Sequence, residues 1–175
     1  MNVPRPHWRP AYVGIGSNLD DPRQQVANAI SALGSLRGSR LIRASRLYRS
    51  PPMDGTDQPD YINAVAALLT QREVPEFLHE LQSIERTQGR KRTATRWAAR
   101  TLDLDLLVFG DRQICNDELT VPHPGIAKRS FVLHPLCEIA PTLRVPGMAT
   151  VQQLCGMLRE NETVLSVLDD QKDHS

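Results

Sequence analysis

The sequence predicts an α+β fold, an antiparallel sheet with helices packed on one face, and three observations predict it. Apolar runs at 11–16, 61–70 and 102–109 are short, bounded by turn residues, and read as buried strands. Two segments, one opening at Pro22 and one at Pro75, carry apolar residues at helical spacing with start and stop signals. Residues 40–49, read as a strand, lie between the first helix and the strand at 61–70, so the core order is strand, helix, strand, strand, helix, strand. That order is the ferredoxin-like βαββαβ arrangement, here with additional C-terminal helix and strand elements.

Each element has its own reason. The first ten residues hold three prolines and no periodicity, and are expected to form a loose arm (1–10) ahead of one domain spanning 11–168. "AYVGIG" is a short strand ending at glycines. Asp21 and Pro22 supply an N-cap and a first helical residue, Val26, Ile30, Leu33 and Leu36 form the stripe, and Gly34 marks the end. "RLIRASRLYR" is ambiguous. Arginines every third residue suit a helix face, whereas Ile42, Ala44 and Tyr48 suit one side of a strand. The turn-rich "SPPMDGTDQPD" and the strand "YINAVAALLT" that follow favour a hairpin with a long loop. Phe77, Leu78, Leu81 and Ile84 form the second stripe, which Gly89 closes. Residues 90–100 have no apolar period and read as a loop. Beyond the strand at 102–109, residues 111–130 are irregular with room for a short hairpin. "FVLHPLCEIAP" and 149–159 read as helices, "TVLSVL" as a last strand, and 169–175 as a polar tail.

Composition narrows the function classes. The 175 residues carry a net charge of +1, so global charge points to no partner. No secretory signal or membrane-length apolar run occurs, and three widely spaced cysteines without a C-x-x-C pair read as free thiols in a reducing compartment; a cytoplasmic protein is expected. Locally the charge is uneven. Arg86, Arg90, Lys91, Arg92, Arg96 and Arg100 fall in a stretch without a single acid, which asks for an anion.

That stretch runs directly into "RTLDLDLLVFG". Alternation puts Asp103 and Asp105 on one face of the strand, with Cα atoms about 7 Å apart. Leu102, Leu104, Leu106 and Val108 take the other face, and Leu107 and Phe109 return the aspartate face to apolar character. Two carboxylate charges about 5 Å apart repel by roughly 3 kcal/mol at an effective dielectric of 20. A divalent cation reverses that sign, and Mg²⁺ typically takes one or two carboxylates plus substrate phosphates. The simpler alternative is a solvated strand end whose acids pair with nearby arginines. The adjoining arginines, which can fork onto phosphate oxygens, favour phosphoryl transfer. Neither G-x-G-x-x-G nor G-x-x-x-x-G-K-[ST] is present, so a nucleotide would bind by another design.

Four motifs, "YVGIGSNL", "RSPPMDGTDQPDYINAV", "RWAARTLDLDLLVFG" and "LTVPHPGIAKRSFVLHPLCEIAP", in order over about 11–160, resemble the 6-hydroxymethyl-7,8-dihydropterin pyrophosphokinase family. The resemblance implies transfer of pyrophosphate from ATP to a reduced pterin, with AMP as the other product, in folate biosynthesis. It implies two Mg²⁺ ions held by Asp103 and Asp105. It implies a pterin sandwiched between Tyr61 and Phe131, hydrogen-bonded by Asn63, and read by Ser50, Pro51, Pro52 and Met53. Gln82, Glu85, His123 and Arg129 match positions near ATP. Arg90, Arg92 and Trp97 match a loop that closes over the site, with Arg90 and Arg92 catalytic in the closed state, Trp97 touching both substrates, and Arg100 holding phosphate. Five of these residues have a plainer reading: core packing for Tyr61 and Phe131, an exposed helix face for Gln82 and Glu85, a surface or structural loop histidine for His123.

Departures exist. Ala98 and Ala99 stand where relatives commonly carry Gly-Pro, Ser50 where threonine is frequent, and Glu118 at a position that can be basic. Two rivals remain. A nucleic-acid-binding ferredoxin-like module would use the arginines, but three Phe, two Trp and three Tyr give no stacking run. A catalytically inactive relative would bind pterin or nucleotide without turnover. The expected partners are therefore ATP and the pterin, with no nucleic acid or membrane, and the expected state is a monomer.

Overall fold

The computed structural model describes residues 7–53, 55–89, 101–158 and 166–168. Strand β1 (Arg9–Ser17) is followed by helix α1 (Pro22–Gly34), strands β2 (Ser39–Ala44), β3 (Leu47–Ser50) and β4 (Tyr61–Thr70), helix α2 (Val74–Thr87) and strand β5 (Asp103–Phe109). The sheet runs β5-β1-β4-β3-β8, with β8 (Ser166–Leu168) at one edge and β2 also paired to β4. All these pairings are antiparallel. The crossover from β1 through α1 lands beyond β4, as a βαββαβ unit requires.

Local chemistry explains the elements. Asp21 caps α1, its carboxylate accepting from Gln24 N at 3.3 Å, and Pro22 takes the first helical position. Val26, Ala29 and Leu33 of α1 and Phe77, Leu81 and Ile84 of α2 are buried against Val13, Ile15, Ala64 and Leu104. The Phe77 and Phe109 rings meet at 5.9 Å between centroids, tilted by 56°.

Several expectations are corrected. The segment 40–49 is strand, but in two pieces. Between β2 and β3 the Ser45 hydroxyl accepts from Val65 N at 2.9 Å, interrupting the ladder while keeping both pieces on β4. β1 starts at Arg9, inside the segment read as a loose arm; Arg9 pairs with Glu73 at 2.9 Å, and Trp8 lies under Arg40. The helices do not all share one face. Helix α3 (Ser130–Ile139) and the short helix α4 (Val151–Met157) cover the opposite side, where Val65, Leu107, Val108, Leu133, Leu136 and Leu154 form a second apolar cluster. β4 is apolar on both faces, so both had to be covered.

Strict alternation in β5 also fails. Val13 pairs with Leu106 and Tyr12 with Val108, leaving Leu107 as a bulge. Past the bulge the faces exchange, so Phe109 joins Leu104 and Leu106 in the first cluster rather than sharing the aspartates' face. The irregular region does hold a hairpin, β6 (Ile114–Cys115) with β7 (Thr120–Val121), then a 3₁₀ turn at Ile126–Lys128. Among the described residues no helix is long and apolar enough to cross a membrane.

Candidate active site

A cavity of about 300 Å³ opens at one end of the sheet, where β1 ends and β4 and β5 begin. It is lined by Gly14, Ile15 and Gly16 of β1, by Ser50, Pro51, Pro52 and Met53, by Tyr61 and Asn63 of β4, by Asp103 and Asp105 of β5, and by His123, Arg129, Phe131 and Val132. Register explains the gathering. Asp103 stands opposite Gly16, Gly16 opposite Asn63, and Asp105 opposite Gly14. Residues directly opposite share a face. With strands about 4.8 Å apart, Asp103 and Asn63 are separated by roughly 10 Å and one glycine. A Cβ on Gly16 would reach within 3.5 Å of Asn63 Oδ1, and one on Gly14 within 3.3 Å of the Leu107 side chain. The glycines therefore keep an open floor between the acid pair and Asn63. Neither was singled out from sequence as a site residue, although glycine inside a strand is a signal of close approach.

The Asn63 side chain is oriented by its own chain. Its amide nitrogen donates to the Ser50 hydroxyl at 2.9 Å and to the Tyr48 carbonyl at 3.3 Å, which turns Oδ1 toward the Gly16 floor. The site can thus accept a hydrogen bond from a ligand edge at this point. Tyr48 is itself anchored, its hydroxyl donating to Glu138 Oε2 of α3 at 2.7 Å; burial, then Glu138, pushes this phenol up to about 12. Tyr61 and Phe131 line the same cavity from β4 and α3, so neither is simply a core residue.

The acid end is shaped by the segment after β7. The Leu107 carbonyl, freed from β1 by the bulge, accepts from His123 N at 2.8 Å and so pins that segment beside the aspartates. His123 Nδ1 accepts from Gly125 N at 2.9 Å, which leaves the proton of the neutral ring on Nε2, 4.0 Å from Asp105 Oδ2. Burial pushes the imidazole below its usual range, Arg129 adds to this, and Asp103 opposes it. At neutral pH the contact is therefore an N–H facing a carboxylate, not an ion pair. Gly125 has a steric role as well. A Cβ there would lie 2.8 Å from Arg129 Nε and 3.0 Å from His123 Cε1.

Among the described residues no group of three or more His, Cys, Asp or Glu could by itself cage a metal. Asp103 and Asp105 offer hard oxygens at the cavity wall, the donor set of a cation completed by water and substrate phosphate. The residues fit Mg²⁺ bound in that way.

Two of the residues expected near ATP sit on α2. Gln82 and Glu85 do not line the cavity, and Glu85 is not on an exposed helix face either. It is only 5 % exposed, and its Oε1 accepts from Leu104 N at 2.8 Å. Arg90, Arg92, Trp97 and Arg100, with Ala98 and Ala99, lie outside the described residues.

Comparison with known proteins agrees with this geometry. The family described as 7,8-dihydro-6-hydroxymethylpterin-pyrophosphokinase matches residues 12–141. The chain is 41 % identical over 154 residues to the 2-amino-4-hydroxy-6-hydroxymethyldihydropteridine pyrophosphokinase of Haemophilus influenzae, covering 88 % of this chain and 96 % of that protein. It is 47 % identical over 135 residues to the Pseudomonas aeruginosa protein of the same name, covering 77 % and 83 %. The folic acid synthesis protein fol1 of Schizosaccharomyces pombe is 37 % identical over 136 residues, which are 78 % of this chain and 18 % of that one. Among solved structures, wild-type Plasmodium falciparum HPPK-DHPS with pterin and p-hydroxybenzoate superposes with a TM-score of 0.68 at 12 % identity, over 88 % of this chain and 44 % of that chain. That likeness shows the ferredoxin-like fold, and the sequence matches show the rest: the chain belongs to the 7,8-dihydro-6-hydroxymethylpterin-pyrophosphokinase family.

Proposed function

We propose that this protein transfers pyrophosphate from ATP to 6-hydroxymethyl-7,8-dihydropterin, a step of folate biosynthesis. The observation that carries the reading is one cavity bearing both an acid pair and, across a glycine floor, Asn63 with Tyr61 and Phe131. The pterin hydroxymethyl oxygen bonds to the β-phosphorus of ATP. The bond from that phosphorus to the oxygen bridging the α-phosphate breaks, AMP departs with the oxygen, and the hydroxyl proton is released.

The chain's residues divide this work. Tyr61 and Phe131 hold the flat pterin by its faces, while Asn63 Oδ1 accepts from its edge and the segment from Ser50 to Met53 closes one side. His123 offers its Nε2 proton, beside Asp105, and Arg129 its guanidinium, to the phosphates. Asp103 and Asp105 would hold Mg²⁺, two ions by resemblance to the family, which would supply positive charge to the phosphates and help orient the attacking hydroxyl. Arg90 and Arg92 are assigned as catalytic cations, Arg100 as a phosphate contact and Trp97 as a contact to both substrates. Gln82 is kept as an approach to ATP from α2. The same reading makes the protein a cytoplasmic monomer, which its free Cys115, Cys137 and Cys155 suit, with one functional domain over 11–168.

The test is incubation with MgATP and the pterin, followed by separation of the nucleotides. AMP formed only when pterin is present, and suppressed by EDTA, is the expected result. ADP would overturn the reaction class, and pterin binding without turnover would make the protein an inactive relative. Asp105→Ala is expected to abolish AMP formation while leaving pterin affinity, measured by titration, nearly unchanged; full activity in that variant would remove the metal assignment.

A further inference from the structure

β5 is an edge strand that pairs with β1 and no other described strand. Alternate peptides of such a strand turn their N–H groups away from the sheet. Where that edge is buried, an N–H without an acceptor is unfavourable. Leu104 stands at such a point, 6 % exposed and directly between Asp103 and Asp105. Its acceptor is not a strand but the Glu85 carboxylate of α2, at 2.8 Å. The apolar stripe of α2 is already complete in Phe77, Leu81 and Ile84, so packing the helix does not call for a buried acid one residue further on. A buried carboxylate is unfavourable unless it makes hydrogen bonds of this kind.

We propose that Glu85 is a positioning residue for the acid pair, clamping the peptide between Asp103 and Asp105 so that both side chains keep one spacing and direction. The peptide that carries the Leu104 N–H is planar, and its only soft rotations are ψ of Asp103 and φ of Leu104. Holding that N–H restrains two of the four backbone torsions that set Asp103 relative to Asp105. Glu85 then acts on the metal through the backbone, from outside the cavity, rather than by touching the nucleotide. The consequence for Mg²⁺ rests on the function proposed above; the clamp itself does not.

The experiment is amide hydrogen exchange at Leu104 in the full-length, metal-free protein, beside the Mg²⁺ dependence of AMP formation. In the wild type the Leu104 amide should be protected despite its edge position. Glu85→Ala should lose that protection and raise the half-saturating Mg²⁺ concentration roughly tenfold, the usual size of an outer-shell effect. KM for the pterin should not move. Glu85→Gln keeps an oxygen acceptor and should recover most of both properties. A freely exchanging Leu104 in the wild type would overturn the proposal, whatever the variants do. So would Glu85→Ala with Leu104 still protected and a raised KM for ATP at saturating Mg²⁺, which would make Glu85 a nucleotide contact. If Glu85→Ala does not fold, the wild-type amide and Glu85→Gln decide. Any loss in Glu85→Gln must appear in exchange and Mg²⁺ dependence together, and a shift in one alone overturns the clamp. The exchange measurement needs no turnover, so an absence of AMP in the wild type would strike the proposed function and not the clamp.

Discussion

Both amide protons of Asn63 are held inside the chain, by the Ser50 hydroxyl and the Tyr48 carbonyl, so the face it shows a ligand is an acceptor. Ser50→Ala removes one of these anchors at a buried position. A neutral hydrogen bond contributes about 1 kcal/mol, so KM for the pterin should rise about fivefold while KM for ATP holds. Ser50→Thr should preserve the anchor and the affinity. At the other end of the cavity Gly125 allows Arg129 to pass over its Cα. Gly125→Ala should displace Arg129 and His123 and weaken ATP binding with little change in pterin binding, which separate titrations would read. His123 also gives a pH signature. Its folded pKa lies below the usual value, so the unfolded chain takes up a proton first on acidification. The stability it contributes is complete above about pH 6.5, the unfolded value, and is lost as pH falls through the folded one. Thermal unfolding of the metal-free protein should therefore fall more steeply from pH 7 to 5 in the wild type than in His123→Asn. The type and spacing of these residues were legible in the sequence. Which way Asn63 faces, and which nitrogen of His123 carries the proton, depend on partners far away or around a turn.

At the scale of elements, β4 and the two main helices were legible because their apolar period is uninterrupted, and β1 because its run is short and bounded. The segment 40–49 was legible only as strand. Its division by Ser45 depends on Val65 in another strand, which no local pattern announces. The bulge at Leu107 has the same character, and it sends Phe109 to the Phe77 side of the sheet. Phe77→Ala should therefore open a cavity between α2 and β5 and lose about 3–5 kcal/mol in urea unfolding. Thr150→Ala removes the capping box of α4 and should lose only about 1 kcal/mol, with both Michaelis constants unchanged because α4 does not line the cavity.

Across the whole molecule the apolar character of β4 on both faces made a second helical layer necessary, and Phe131 from the first turn of α3 and Arg129 just ahead of it reach the cavity. The acids, aromatics and histidine were visible as motifs; the glycine floor was visible only once the register placed Gly14 and Gly16 beside them. That register has a further consequence. Among the described residues, those lining the cavity sit at the end of the sheet where β4 and β5 begin. Arg9, Ser39 and Thr70 meet at the other end, where Gly110 N also donates to Pro10 O at 2.7 Å. The chain enters the sheet at the pole far from the cavity mouth. A second catalytic unit joined ahead of Arg9 should therefore leave kcat for AMP formation unchanged, which a fusion protein would measure. Such polarity makes the fold readily concatenated, a unit that can be threaded into a longer polypeptide without turning its working face.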